Sequence, residues 1–453
     1  MTVMFRRVPR SIKWLVLFLL AFIVVLSVGR LIQKTLDSIY NGERAPYLQM
    51  PSEDGMSLRW QSIAADKGQV SIGVQADALN RHFYGDGKDQ HHEVRVDKLL
   101  PLTRYYYRAG NELKADYQGD DYWFITAPKT GESVATRFWV TGDQGKAGLV
   151  QQQVRDAMLQ WLEENPRPGR AYLDFWLTTG DNAYRSGTNE QFQTSFFEPY
   201  KNILKNIPVW PAYGNHDARR WTFFNIFSLP EQGESGGIPS GTEHYYSFDY
   251  ANIHFVFLDS ESSDREVDGK MAKWLVSDLK ANKQDWLIAV FHHPPYSKGS
   301  HNSDDKNDSD GRLYEMRKYI VPILERYDAD LVLTGHSHVY ERSHFMTCHY
   351  DESSTLKKNM ILDRDRVFEK SLNHDANQGT VYAVVGSSAK AQQGPLDHPV
   401  MDVAKSEAGS MLVDVEGQQL IARFISDSGF VTDQFSIKKV KKLKVKKTRK
   451  LCQ

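Results

Sequence analysis

Five short polar clusters in the 453-residue chain combine metal-ligating side chains with glycine or proline. They are Gly142-Asp143-Gln144-Gly145, Gly180-Asp181-Asn182-Ala183-Tyr184, Gly214-Asn215-His216-Asp217, His292-His293-Pro294-Pro295-Tyr296 and Gly335-His336-Ser337-His338. Their donors are carboxylate and amide oxygens, imidazole nitrogens and a phenol. Ligands of this kind suit Fe, Mn or Zn, and the lack of thiolates among them argues against iron-sulfur or cysteine-type zinc chemistry. A single Gly-Asp or His-x-His is usually a turn or a surface histidine. Five in order, each after an apolar run, imply a dinuclear metal site.

The runs that must position these clusters read as strands: Phe138 to Thr141, Phe175 to Thr178, Val209 to Tyr213, Ile253 to Leu258, Trp286 to Phe291 and Leu331 to Thr334. Between them fall helix-period patterns such as Val150, Val154, Met158, Trp161 and Met271, Trp274, Leu275, Leu279. The alternation predicts a layered α/β domain, and in such folds ligands bind outside the carboxyl ends of the strands, where all the clusters converge. Thr380 to Gly386 and a hairpin over Ser410 to Phe424 add further strands. Upstream, short alternating runs with Gly, Asp and Asn turns predict an all-β sandwich. Tyr105 there stands at a strand start, able to return a hydrogen bond to nearby backbone, in a stretch similar to a fibronectin type III corner. Ala127 to Ser133 reads as a linker.

The order GDxG, GDxxY, GNH, HxP and GHxH resembles the calcineurin-like metallophosphoesterases. Tyr184, the run Gly335 to Arg342, Tyr245 to Asp249 ahead of Phe255 to Asp259, and the sandwich that contains Pro46-Tyr47-Leu48-Gln49 narrow the resemblance to purple acid phosphatases. It extends from Arg44 to Lys438 and departs at 297–312 and 348–378, the latter expected to reshape the substrate mouth. The resemblance implies a four-layer metallophosphoesterase α/β sandwich over 129–437, preceded by a fibronectin III-like β-sandwich over 44–128.

Carried over residue by residue, it implies that a first metal takes Asp143, Tyr184 and His338, a second takes Asn215, His292 and His336, and Asp181 bridges them. His293 is the alternative to His292. The charge of about −2.5 around the first metal against about −0.5 around the second favours a trivalent ion in the first site. Fe(III) is expected at Tyr184, because a phenol of pKa ~10 ionises near neutral pH only on so strong a Lewis acid, and the other site is left to divalent Fe, Zn or Mn. His216 is expected to contact the phosphoryl group and help protonate the leaving oxygen. His301 is a second catalytic candidate, in a loop with the composition of a solvated linker. Glu341 and Arg342 read as a structural ion pair.

The implied activity is hydrolysis of phosphate monoesters by a metal-activated hydroxide. A phosphodiesterase on the same scaffold is the nearest alternative, and a non-catalytic, membrane-tethered adhesion or interaction protein is the alternative from another class.

Composition bounds the rest. With 41% hydrophobic and 25% charged residues the chain is an ordinary globular protein rather than a disordered one. Its two cysteines, Cys348 and Cys452, provide no disulfide framework or cysteine-rich zinc site and leave the redox compartment open. The formal net charge of −1 conceals a tail over 438–453 whose nine Lys and Arg lie between Lys438 and Lys450. That tail is suited to anionic lipid or another polyanion, and with no interleaved aromatics it predicts no specific nucleic-acid partner. Residues 1–43 comprise a basic end with Arg6, Arg7, Arg10 and Lys13, an apolar run from Trp14 to Gly29 and a stalk. The run predicts a membrane anchor over about 12–30 with its start in the cytosol and the catalytic domain periplasmic or extracellular. Secretion after cleavage of a signal near Ser27-Val28-Gly29 is the alternative.

Overall fold

The computed structural model describes residues 10–36, 39–111, 115–363, 367–373, 375–441 and Cys452. Arg6, Arg7 and the tail from 442 to 451 lie outside the described residues. The first element is a 27-residue helix, Arg10–Leu36, about 40 Å long at ~1.5 Å per residue. Its described apolar side chains, Phe18, Phe22 and Val25 among them, are exposed. Among the described residues no helix is long and apolar enough to cross a membrane.

The N-terminal region is all-β as expected, with longer strands than the alternating runs suggest. Two long strands, Gly55–Gly73 and Arg81–Val96, pair with each other and help to knit six strands into one continuous sheet. The sheet packs its own apolar residues together, among them Leu58, Trp60, Ile72, Val94, Tyr107 and Phe124. The corner tyrosine behaves as its position suggests: Tyr105 OH accepts from Leu100 N at 3.0 Å. This region is docked rather than loosely linked, because buried Arg44 donates to Asn189 and Gln193, and Tyr47 OH donates to Ile226 O.

The remainder is built on two seven-stranded sheets. One runs Tyr246–Tyr250, Ile253–Leu258, Trp286–Phe291, Leu331–Thr334, Val381–Val385, Tyr340–Ser343, Met401–Lys405. The other runs Val367–Ser371, Val431–Val440, Gln419–Ser426, Gly409–Glu416, Thr136–Thr141, Phe175–Thr178, Val209–Pro211. Their facing surfaces bury an aromatic core that includes Phe138, Phe175, Trp210, Phe248 and Phe255. Helix Leu149–Glu164 covers the second sheet, while Lys270–Ala281 and the helical stretch ending in Val321–Arg326 cover the first, giving four layers. The middle strands of the first sheet, from Ile253–Leu258 to Val381–Val385, pair in parallel, as do the three at one end of the second, Thr136–Thr141, Phe175–Thr178 and Val209–Pro211, and the loops at their carboxyl ends meet along one edge of the sandwich.

Three expectations change at the far edge. The strand Val431–Val440 carries the domain past 437, and Lys439, counted with the solvated tail, is buried against Asp330 at 2.8 Å. In the described part of 348–378, Val367–Ser371 pairs at the edge of the second sheet and Ile361–Asp363 pairs with Phe345–Met346, so these two strands serve the sheets rather than a substrate mouth. Cys348 and Cys452 form a disulfide with a Cα–Cα distance of 5.2 Å, which ties the C-terminus back to the domain. Two cysteines 104 residues apart give no sign of pairing in sequence.

Candidate metal centre

Each proposed ligand stands in the loop after a parallel strand. Asp143 follows Thr136–Thr141, Asp181 and Tyr184 follow Phe175–Thr178, Asn215 follows Val209–Pro211, His292 follows Trp286–Phe291, and His336 and His338 follow Leu331–Thr334. Three of them, Asp143, Asp181 and His336, sit in the left-handed backbone region at φ 55, 56 and 65°. Non-glycine residues adopt it at a cost that surrounding structure must impose, and such positions concentrate at functional sites. The preceding glycines are demanded by close approach: a Cβ on Gly214 would lie 2.2 Å from Asp181 N, and one on Gly335 would lie 2.6 Å from Asp143 Oδ2.

The side chains gather into two groups that share one residue. Tyr184 OH lies 2.8 Å from Asp143 Oδ1, 3.0 Å from Asp181 Oδ2 and 3.1 Å from His338 Nε2. In the second group, His292 Nε2 lies 3.0 Å from Asn215 Oδ1 and 3.2 Å from His336 Nδ1, which is itself 3.1 Å from Asn215 Oδ1. Asp181 presents Oδ1 to His292 at 3.4 Å and Oδ2 to Tyr184. Donor atoms bound to one ion at ~2.0–2.2 Å are themselves separated by about 3.0–3.5 Å, so both groups have the spacing of a coordination shell.

The electrostatics are those of a site that wants cations. Burial, then Asp143 and Asp181, push the Tyr184 phenol well above its usual value, so no protein group here would ionise it. Burial favours a neutral Asp181, yet His292 and His216 hold its carboxyl below the ordinary range. Burial opposes a charge on His292, but Asp181 and Asp143 push it up to about 10. His336 goes the other way, well below the usual value, through burial and then the neighbouring histidines. Buried acceptors crowded against imidazoles and a phenol fit a pair of metal ions by the chemistry of the donor set.

The partners on the far side of the imidazoles orient them. His292 Nδ1 meets Thr179 O at 2.9 Å, His338 Nδ1 meets Gln392 Oε1, and His336 Nε2 meets Ser309 Oγ at 2.7 Å. Gln392 and Ser309 carry no spacing signal in the sequence. His293 stands beside the group rather than apart from it: its Nδ1 lies 2.9 Å from Ser260 Oγ, and it offers a ring nitrogen within 4.8 Å of donors on His292 and His336. Outside the groups, His216 donates Nδ1–H to Arg185 O at 2.6 Å and leaves Nε2 3.8 Å from Asp181 Oδ2. His301 stacks on His336 with ring centroids 3.9 Å apart and meets Asp308 at 2.8 Å. The loop that carries it is no solvated linker, since Ser297 and Ser303 are buried and Ser297 Oγ and Lys298 N both donate to buried Glu341. Glu341 and Arg342 do not pair with each other: neighbours in a strand face opposite sides, and Arg342 instead holds Asp433 and Asp402, each at 2.7 Å.

Fold and loop ligands together define a metallophosphoesterase architecture, and residues 136–340 match the family model for calcineurin-like phosphoesterases. Beyond that segment the chain is similar in sequence to purple acid phosphatases over a little more than half of its length. Purple acid phosphatase 21 of Arabidopsis thaliana is 29% identical over 268 residues, covering 57% of this chain and 54% of that protein. Purple acid phosphatase 1 of Ipomoea batatas is 29% identical over 264 residues, covering 56% and 51%. Acid phosphatase type 7 of Homo sapiens is 27% identical over 333 residues, covering 65% and 69%. The chain thus spans about half the length of the first two relatives. Among solved structures, purple acid phosphatase PPD1 from yellow lupin seeds superposes with a TM-score of 0.67 at 17% identity, covering 88% of this chain and 75% of its own. PhoD superposes with a TM-score of 0.61 at 13% identity, covering 87% and 90%. These two likenesses establish the fold.

Proposed function

We propose that the chain hydrolyses phosphate monoesters at a dinuclear metal centre. The observation that carries this reading is Asp181, whose two oxygens face two separate donor groups. Asp143, Tyr184 and His338 would hold the first ion, which the phenol favours as Fe(III). Asn215, His292 and His336 would hold a divalent ion, Fe, Zn or Mn. When bound, two such ions supply a nucleophilic water at mild pH and neutralise charge on the phosphate oxygens. His216, oriented by Arg185 O, contacts the phosphoryl group and gives a proton to the leaving oxygen. His301 lies at the edge of the second group and contacts the substrate from that side.

The test is metal analysis with a panel of monoesters and diesters. Two metals per chain, with monoester turnover that Asp181→Asn abolishes, is the expected result. A protein that turns over neither ester class when loaded, or only diesters, refutes it.

The catalytic domain lies outside the cytosol, directed there by the N-terminal apolar run, which acts as a tether over about 12–30 or as a cleaved signal although no helix among the described residues is long and apolar enough to span. The support for this is the uncharged run Trp14 to Gly29, the exposure of its described apolar side chains, and the Cys348–Cys452 disulfide, a bond that persists in oxidising compartments. Any contact of the tail with anionic lipid is secondary to it. Protease added to intact spheroplasts, or to whole cells without an outer membrane, should digest the domain. Protection until lysis overturns the orientation, and a soluble product beginning near Arg30 points to signal cleavage instead.

A further inference from the structure

The segment between Ser297 and Arg312 is one of the two places where the chain departs from the pattern it otherwise resembles, and one of its hydroxyls reaches the candidate metal centre. We propose that Ser309 is a positioning residue for the second metal, setting the tautomer and orientation of His336. The proposal rests on the dinuclear reading above.

The hydrogen-bond directions follow from what each group can do. Ser309 Oγ lies 2.8 Å from Asp308 Oδ1 and 2.7 Å from His336 Nε2. An ionised carboxylate only accepts, so the hydroxyl proton goes to Asp308 and the oxygen lone pair receives Nε2–H of His336. His336 therefore carries its proton on Nε2 and turns a bare Nδ1 toward Asn215 Oδ1 at 3.1 Å and His292 Nε2 at 3.2 Å. That is the tautomer a ligating imidazole needs. Asp308 is kept ionised and still: it also accepts from His301 Nδ1 and Asn302 N, both at 2.8 Å, and although burial opposes the charge these bonds hold its carboxyl below the usual range. The His301 ring, stacked on His336, bars other orientations of that imidazole.

The backbone argues the same way. Ser309 and Asp310 both stand at φ 53°, in the left-handed region that non-glycine residues avoid. A glycine at 309 would satisfy the turn better than serine does. The side chain at 309 thus stands against the preference of its own backbone, as expected where it performs a task rather than stabilises the loop.

The experiment compares wild-type, Ser309→Gly, Ser309→Ala and Ser309→Asn, each purified with its metals. Chelator titration with metal counting reads retention, and thermal melting of the stripped chains reads stability. Outer-shell partners of metal-bound histidine are typically worth ~10- to 100-fold in metal affinity. Ser309→Gly should therefore release one of the two ions at about 10- to 100-fold lower chelator activity while its stripped chain melts no lower than wild-type. Ser309→Ala should show the same release. Ser309→Asn, which tolerates left-handed backbone and offers an amide oxygen, should recover most of the retention. Unchanged retention in both Gly and Ala variants overturns the proposal, as does equal loss of both ions with a lowered melting temperature. A wild-type chain that binds no pair of metals removes the dinuclear reading itself.

Discussion

Replacing His216 by alanine tests the division of labour at the centre most directly. The imidazole donates Nδ1–H to Arg185 O at 2.6 Å, and a carbonyl can only accept, so Nδ1 must be protonated. Nε2, 3.8 Å from Asp181 Oδ2, is then a donor only in the doubly protonated ring. An acid held in this way gives ~10² to 10⁴ in rate, equal to about 2.7 to 5.4 kcal/mol at ~1.36 kcal/mol per tenfold. His216→Ala should lose that much on alkyl phosphates, whose leaving oxygen needs a proton, and less than about tenfold on nitrophenyl phosphate, whose leaving group departs as an anion. The assay is steady-state kcat on both esters with metal content measured on the same samples. A loss of equal size on both esters, or a variant short of one metal, refutes the assignment and makes His216 a binding group or a ligand.

Three further outcomes are expected. Tyr184→Phe should abolish the colour of an iron-loaded protein while costing less activity than Asp181→Asn, because the phenol faces only one donor group; visible spectra and kcat on the two variants decide it. Buried His254, held between Asp249 at 2.7 Å and Asp278 at 2.8 Å, is pushed up to about 9 by those acids although burial opposes it. A raised histidine stabilises fully below its unfolded value of ~6.5 and stops doing so as pH rises through about 9, so the stability gap between wild-type and His254→Gln, read from denaturant melts, should narrow by roughly 3 kcal/mol across that window. Reduction of the Cys348–Cys452 bond reopens a span of 104 residues and should lower stability by roughly 4 kcal/mol, whereas a melt indifferent to reductant would mean that the bond is not formed.

The parts of this protein that can be read without coordinates are those that repeat a local rule. Each proposed ligand follows an apolar strand that pairs in parallel, so strand periodicity and residue type together locate Asp143, Asp181, Asn215, His292 and His336. The glycines beside them are equally legible, since Gly214 and Gly335 leave no room for a Cβ against Asp181 and Asp143. The division of the ligands into two groups is implied only by the family resemblance, and charge then distinguishes the first group from the second.

What escapes is whatever depends on a partner distant in the chain. Alternation in Gly55–Gly73 shows that a strand is present, but not that it runs on through nineteen residues and pairs with three other strands. Lys439 belongs by composition to a cationic tail, yet two strand pairings bring Asp330 to it and bury the pair. The loop around His301 makes the point most sharply. Serine, asparagine and aspartate satisfy their hydrogen bonds as well with water as with protein, so composition alone assigns such a stretch to solvent. Here Ser297 finds Glu341 over a separation of 44 residues, Ser300 finds Ser337 over 37, and Ser309 finds His336 over 27. All three partners lie in or just beyond the Gly335-His336-Ser337-His338 turn. A polar loop whose bonds converge on one metal-binding turn is a support for that turn, and only the identity of the partners distinguishes it from a linker.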